Sequence, residues 1–258
     1  MRFSVLASGS GGNVCYVETA RARILVDAGL SCRETVRRLQ RIGVDPGSLD
    51  ALVLTHEHAD HILGAGPLAR RFRLPVYMNS PTFRKGLRAL GSVSSPIPIQ
   101  TGQTITVNDL LIETFTKCHD AADPMGLVLS SEEGTRLGII TDLGRSTGVV
   151  EDRLRGCRAL IVEFNHDEKM LEDGPYPLEL KRRIRGDHGH LSNRQAARLV
   201  RALAHPRLAW VIPAHLSEVN NEPLKALRAV RDALAGHNGC RSEVVISSQH
   251  EVVPMLDL

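Results

Sequence analysis

The segment Thr55-His56-Glu57-His58-Ala59-Asp60-His61 places three imidazoles and the Asp60 carboxylate within six positions, directly behind the apolar run Ala51-Leu52-Val53-Leu54. Imidazole and carboxylate are donors that divalent transition metals accept readily. The apolar run reads as a short buried strand and the helical pattern starts at Ile62, so the cluster falls on a strand-to-helix turn where neighbouring side chains can converge. Such a loop can present His56 and His58 to one ion, and Asp60 and His61 to a second. Two ions at one hydrolytic centre need further donors, ideally with a carboxylate able to bridge them. His119, Asp142 and His215 follow the apolar stretches 110–116, 137–141 and 209–213, so each stands where a strand gives way to a loop. Taken singly, each is equally readable as an ordinary polar loop residue.

In this order, His56-x-His58-x-Asp60-His61, His119, Asp142 and His215 resemble the five ordered motifs of the metallo-β-lactamase superfamily, over nearly the whole chain. The resemblance implies His56, His58 and His119 on one ion, Asp60, His61 and His215 on the other, and Asp142 bridging. Further stretches resemble the YycJ/WalJ-type branch, whose members are linked to exonuclease activity on DNA. These are Ser8-Gly9-Ser10-Gly11-Gly12-Asn13, Asn165-His166-Asp167, Gly174-Pro175-Tyr176-Pro177, Gly189-His190-Leu191-Ser192-Asn193 and His215-Leu216-Ser217-x-x-Asn220-Asn221. The fold implied is α+β, an αβ/βα four-layer sandwich of two mixed sheets packed face to face, here as one domain over residues 1–258. Asp27, in Val26-Asp27-Ala28-Gly29, matches the superfamily's Asp-x-Gly turn and is read as a brace of the metal loop.

The elements needed to position these residues are visible in the apolar periodicity. Residues 1–7, 14–18 and 23–27 read as strands, followed by a helix that Ser31 opens with Glu34 three residues on, a capping-box pattern. After a helix at 62–71 come strands near Val76, Ile97, Ile105, Leu111, Leu127 and Ile139, then a second series at Leu160 and Val211 separated by helices. Ser192 with Gln195 repeats the capping box, and Pro223 suits the first position of a helix carrying Leu224, Leu227, Val230 and Leu234. Trp210 reads as core.

Composition bounds the answer. A chain of 258 residues with 42% apolar content can bury a large core. Five dispersed cysteines, odd in number and without a C-x-x-C pair, suit free thiols in a reducing compartment, with Cys118 beside His119 read as a spectator. The start lacks an extended apolar signal region and no run reaches transmembrane length, so a cytoplasmic protein without a membrane partner is expected. That location, and Asp at position 142 rather than Cys, argue against a secreted antibiotic-degrading lactamase.

A water between two divalent ions loses a proton near neutral pH and becomes a nucleophile, so hydrolysis is the default reaction. The metals alone leave phosphodiester, thioester and amide open. Gly189-His190-Leu191-Ser192 favours phosphodiesters: His190 precedes a helix that Ser192 caps, where a phosphate would meet an imidazole and the positive end of the helix dipole. The alternative is a plain surface cap. The stretch also resembles the Gly-His-Ser/Thr element of RNase Z-type enzymes, in which the histidine serves catalysis; Asp60 and His190 are therefore the expected catalytic residues.

Arg182, Arg183 and Arg185, with Lys181 and His188, form either a basic approach to the site or a solvated helix face. Ser10 and Asn13 in the glycine loop, His166, and Asn220 are the other candidates for substrate contact. A tight turn for the first two, a simple loop for His166 and a helix cap at Asn220 stand as alternatives. Net charge is only +3 and aromatics are 3%, so contact with nucleic acid would be to backbone or ends. The 23 positions from His119 to Asp142 leave no room for the tRNA-gripping arm of RNase Z, and the 73 from Asp142 to His215 are too few for the extra domain of RNase J-like enzymes.

The reading that results is a dinuclear metal phosphodiesterase acting on DNA rather than RNA. Release of nucleotides from a 5′ end is implied by resemblance alone. A thioesterase of the hydroxyacylglutathione hydrolase kind, a small-molecule phosphodiesterase and a metal-stabilised binding scaffold are the alternatives. His and Asp donors suit zinc, and also accept manganese or iron.

Overall fold

The computed structural model describes residues 1–93, 95–237 and 239–258. Its first half carries strands β1 (Arg2–Ala7), β2 (Val14–Glu18), β3 (Arg23–Val26), β4 (Ala51–Val53), β5 (Val76–Asn79) and β6 (Pro96–Ile99). Between them lie helices α1 (Cys32–Arg41), α2 (Ala59–Ile62), α3 (Ala65–Phe72) and α4 (Ser80–Leu90). The second half continues with β7 (Thr104–Val107), β8 (Leu110–Thr116), β9 (Met125–Ser131), β10 (Arg136–Ile140), α5 (Gly148–Leu154) and β11 (Ala159–Glu163). There follow α6 (Glu168–Asp173), α7 (Leu178–Arg185), α8 (Asn193–Leu203), β12 (Trp210–Ala214), α9 (Pro223–Ala235), β13 (Glu243–Val244) and β14 (Leu256–Asp257). The strands form two seven-stranded mixed sheets, ordered β14-β1-β2-β3-β4-β5-β6 and β13-β12-β11-β10-β9-β8-β7.

Side-chain alternation makes the layers. On β3, Ile24 and Val26 point into an apolar core shared with Ile112, Leu127, Ile161 and Ile212 of the other sheet, while Leu25 points the opposite way into a second cluster with Leu39 and Leu68 from α1 and α3. On β11, Ile161 joins the shared core while Leu160 and Val162 face outward, against Leu154, Leu199 and Val230 of α5, α8 and α9. One core between two sheets, and one outside each sheet beneath helices, make four layers: the αβ/βα sandwich. Each fully buried leucine or isoleucine contributes about 1.5–3 kcal/mol, which explains why the apolar runs read from the sequence coincide with strands.

Local departures have physical causes. Ser31 Oγ accepts from the Glu34 N–H at 3.3 Å, but the Glu34 carboxylate turns to Arg37 and Arg38 instead of back to the cap, so the expected box is half formed. The box at Ser192 and Gln195 is reciprocal. The single helix expected over 62–71 is two: α2 starts earlier and takes in Asp60 and His61, and the chain breaks before α3 where the Gly64 N–H leaves the helix to donate to Ala28 O. Pro223 does open α9. Trp210 is only partly buried, its indole donating to Asp257 O of β14 at 3.0 Å. β3 and β4 are parallel, as are β10, β11 and β12, and the ends of these strands converge at one edge of the sandwich.

Candidate active site

At the carboxyl ends of β3, β10 and β12 the chain turns sharply. Asp27, Asp142 and His215 adopt left-handed backbone, with φ of 59°, 52° and 54°. That conformation costs a non-glycine residue about 1–2 kcal/mol. Each of the three swings its side chain toward the His56–His61 loop that follows β4.

Two groups form there. Single donor atoms of His56, His58 and His119 lie within 4.8 Å of one another, and so do those of Asp60, His61, Asp142 and His215. The Asp142 carboxylate sits between them: Oδ2 is 3.0 Å from His61 Nε2, while Oδ1 is 3.5 Å from His215 Nε2 and 3.8 Å from His119 Nε2. Asp60 Oδ2 lies 3.5 Å from His61 Nε2 and 3.4 Å from His215 Nε2. All seven ligand candidates are thus brought together.

The far nitrogen of each buried ring is tied down. His61 Nδ1 donates to Asp27 Oδ2 at 2.8 Å, His215 Nδ1 to Glu163 Oε1 at 3.0 Å, and His119 Nδ1 to Gly189 O at 3.1 Å. His56 Nδ1 lies 3.0 Å from Thr55 Oγ1, which itself donates to Asp27, so the hydroxyl accepts from the ring. Fixing Nδ1–H leaves the Nε2 lone pair free and aimed at the centre, the tautomer a metal requires. Asp27 also accepts from the Thr55 N–H at 2.8 Å, bracing the loop's entry.

The donors fit divalent cations on a direct observation: among the described residues His56, grouped with His58 and His119, has its Nε2 buried with no hydrogen-bond partner. A buried polar atom without a partner is costly, and a cation between these groups removes that cost. Electrostatics agree. Burial disfavours charge on His61, but Asp142, Asp27 and Asp60 outweigh it and hold the imidazole up to about 10. At His215 burial is likewise overcome, by Asp142 and then by Asp60 and Glu163, and its affinity for a proton is raised well above the ordinary value. His56 goes the other way, pushed far down by burial, reinforced by His61 and Lys117. Burial opposes ionisation of Asp142, yet His215, His61 and Lys117 keep it well below the carboxylate range. The carboxylates around His61 and His215 thus favour positive charge at the centre of the cluster.

Glu163, which the sequence reading passed over, is the hub. Wholly buried at the end of β11, it accepts from the Asp142, Leu143 and Leu191 N–H groups and from both His215 Nδ1 and His190 Nδ1, the last at 2.8 Å. Burial alone would raise its pKa, but His190 and His215 carry it down to about 2. A carboxylate ending the all-apolar run Ala159-Leu160-Ile161-Val162 was the signal available, since buried acids are rare unless partnered. His190 itself lines a cleft of about 170 Å³ beside the cluster, with Ser10, Asn165, Tyr176, Arg183 and Ser217.

The remaining candidates divide by placement. Ser10 and Arg183 face this cleft, but the Arg183 guanidinium is bound to Asp120 at 2.5 Å and its charge is already matched. Arg182 is exposed and does not line the cleft. Arg185 and His166 line a neighbouring hollow instead. Asn13 is only 5% exposed and grips the metal loop, with Nδ2 3.1 Å from His61 Nε2 and 3.3 Å from Asp60 Oδ2. Asn220 is 1% exposed and packs inside, its carbonyl accepting from the Asp167 N–H. The positive end of α8 is also less available than its sequence suggests: the Asn193 N–H is taken by His166 O and that of Gln195 by Ser192 Oγ.

The chain and the sandwich it forms have counterparts among known proteins. A beta-lactamase superfamily domain model matches residues 22–215. The chain belongs to the metallo-β-lactamase superfamily. Within the superfamily it is 36% identical to the exodeoxyribonuclease YycJ of Bacillus anthracis over 236 residues, covering 91% of this chain and 89% of that one. To the exodeoxyribonuclease WalJ of Streptococcus pneumoniae it is 38% identical over 229 residues, 85% of this chain and 83% of that one. Among solved structures, the metallo-β-lactamase fold protein YhfI of Bacillus subtilis superposes with a TM-score of 0.74 at 17% identity, covering 97% of this chain and 98% of that one, which speaks to the fold.

Proposed function

We propose that this chain is a metal-dependent exodeoxyribonuclease working through two divalent ions. The likeness to YycJ and WalJ supports DNA as substrate. The observation that carries the chemistry is the shared Glu163 carboxylate: one oxygen, Oε1, receives both His215 Nδ1 and His190 Nδ1, so the ligand cluster and a cleft-facing imidazole are held in one frame.

His56, His58 and His119 would hold one ion, Asp60, His61 and His215 the other, and Asp142 would span both. Zinc suits this set, and manganese or iron are also accepted by it. When bound, such ions supply Lewis acidity to a phosphoryl oxygen and activate a water near neutral pH. The protein does the rest. Asp27, Thr55 and Asn13 keep the metal loop from relaxing. Asp60, partly exposed and next to both His61 and His215, can take the attacking water's proton. His190, its Nδ1–H donated to Glu163, has only Nε2 to offer, and in its doubly protonated form it delivers the Nε2 proton to the departing 3′ oxygen, leaving the neutral ring on Glu163.

Digestion from the 5′ end completes the proposal, on the resemblance alone. The test uses 5′-phosphorylated duplex DNA labelled at each terminus in separate reactions. Stepwise loss of the 5′ label ahead of the 3′ label is expected. Cleavage confined to the 3′ end would reverse the polarity, and hydrolysis of small phosphodiesters without any attack on DNA would overturn the nuclease reading. No helix among the described residues is long and apolar enough to cross a membrane. We place the enzyme in the cytoplasm, a proposal consistent with its DNA substrate and its five free cysteines.

A further inference from the structure

Beyond the catalytic cleft, a depression of about 630 Å³ runs between α8 and α9. Arg194, Arg198 and Arg201 line one side at the i, i+4, i+7 spacing that puts them on a single helix face, and Lys225, Arg228 and Asp232 line the other. Two of these cations are already matched: Arg194 pairs with Glu168 at 2.9 Å and Lys225 with Asp167 at 3.5 Å. Arg201 donates to the Asp232 carbonyl at 3.2 Å, which leaves its charge uncompensated. Among the described residues Arg198, Arg201 and Arg228 form no ion pair, against one unpaired carboxylate in the groove, Asp232. This local excess of positive charge stands out on a chain whose net charge is only +3.

The groove lies near the site, with one further hollow between them. It shares Glu168, Arg194 and Arg198 with a hollow of about 390 Å³ that His166, Arg185 and Glu172 also line, the last two paired at 3.9 Å, so among the described residues Arg198 is the unpaired cation there. His166 is 1% exposed, and among the described residues its buried Nδ1 has no partner. Asn165, the residue before it, lines the catalytic cleft together with Ile184, the residue before Arg185. Adjacent residues of the same two segments therefore border the cleft and the hollow, and the hollow and the groove share the wall formed by Glu168, Arg194 and Arg198.

We propose that the hollow and the α8–α9 groove are a track for the phosphodiester backbone of duplex DNA beyond the residue being cut; this rests on the nuclease reading of the cleft. Guanidinium forks free of carboxylates match phosphate oxygens. A protein partner would find little to anchor to, since the apolar lining amounts to Ala197 and Ala229. At about 1.5 Å per residue, Arg194 and Arg201 stand about 10 Å apart along α8, roughly three base-pair steps of 3.4 Å. Backbone contact of this kind gives affinity and salt dependence without sequence preference.

The test compares metal-loaded wild type with the triple charge reversal R198E/R201E/R228E, all exposed positions outside the catalytic machinery. A second triple, R84E/K85E/R88E on α4, carries the same change in net charge at another exposed surface. Binding is read by fluorescence anisotropy on a nuclease-resistant phosphorothioate duplex across a salt series, and hydrolysis by bis(p-nitrophenyl) phosphate turnover. The groove triple should lose about tenfold or more in duplex affinity. Its log–log salt slope should be shallower by about 2–3, as expected for three lost phosphate contacts, with small-ester turnover unchanged. Unchanged affinity and slope, or an equal loss in the α4 triple, overturns the track. Small-ester turnover in wild type with no duplex binding overturns it as well. Groove-dependent duplex binding with no hydrolysis of either substrate would leave the track standing and remove the nuclease reading.

Discussion

Glu163 Oε1 receives both His215 Nδ1 and His190 Nδ1, so one carboxylate orients both a proposed metal ligand and the proposed proton donor. If His190 acts on the leaving group through Nε2, His190→Ala lowers DNA turnover about 10²–10⁴-fold while metal content per chain stays at the wild-type value. If Glu163 acts by orienting His215 and His190 together, Glu163→Gln lowers both, with metal affinity down about 10–100-fold. Metal analysis run alongside kinetics separates the two variants, and unchanged turnover in His190→Ala would remove that residue from the mechanism. A pH dependence follows from the protons held on His61 and His215. Both residues bind protons more tightly in the metal-free fold than in free solution, His61 up to about 10. A cation must displace those protons, so metal affinity rises with pH across the neutral range. Calorimetric titrations in buffers of different ionisation enthalpy should show net proton release at pH 7, and proton uptake would contradict the assignment. The seven ligand candidates were legible because each is a chemically unusual residue just past an apolar run. Glu163 was missed because an acid closing the apolar run 159–162 signals a buried carboxylate but not its partners, which lie 20 to 52 positions away along the chain.

At the scale of elements, the strands were readable and the breaks between helices were not. Apolar runs of four to seven residues mark buried strands directly, because both faces of each inner strand meet a core. The two-residue strands β13 and β14 carry no periodicity of their own and exist because a sheet edge offers them partners. The split of α2 from α3 is likewise a tertiary effect, since the backbone of residues 27–30 packs against the metal loop more closely than any side chain would allow. A Cβ on Gly29 would fall 1.7 Å from Asp60 O, and one on Gly64 would fall 2.0 Å from Leu30 O. Gly29→Ala must therefore push the Asp60–His61 backbone away from Asn13 and Asp27. It should destabilise the protein by about 1–3 kcal/mol, as overpacking does, and weaken metal binding as well. Denaturant unfolding with and without metal measures both effects. A variant with wild-type stability and metal content would show that the loop does not need this close approach.

Across the whole molecule, β1–β6 make one sheet, with the C-terminal β14 added at its edge, and β7–β13 make the other, and the site lies where the strand ends of the two sheets meet. His56, His58, Asp60 and His61 come from the first half, and His119, Asp142, Glu163, His190 and His215 from the second. Ions held between them should therefore act as a clasp between the two sheets. Removing metal with a chelator should lower the melting temperature, and restoring saturating metal should raise stability by RT ln(1 + [L]/Kd), about 4 kcal/mol at a thousandfold excess over Kd. A melting temperature indifferent to metal would mean that the donors do not share ions across the interface. The most direct test of the account is metal content and DNA hydrolysis measured on one preparation of wild type beside Asp142→Asn. The prediction is about two divalent ions per chain with stepwise DNA cleavage in wild type, and loss of both in the variant. Cleavage that persists in Asp142→Asn, or in chelator-stripped protein shown to be metal-free, would contradict a nuclease built on this cluster.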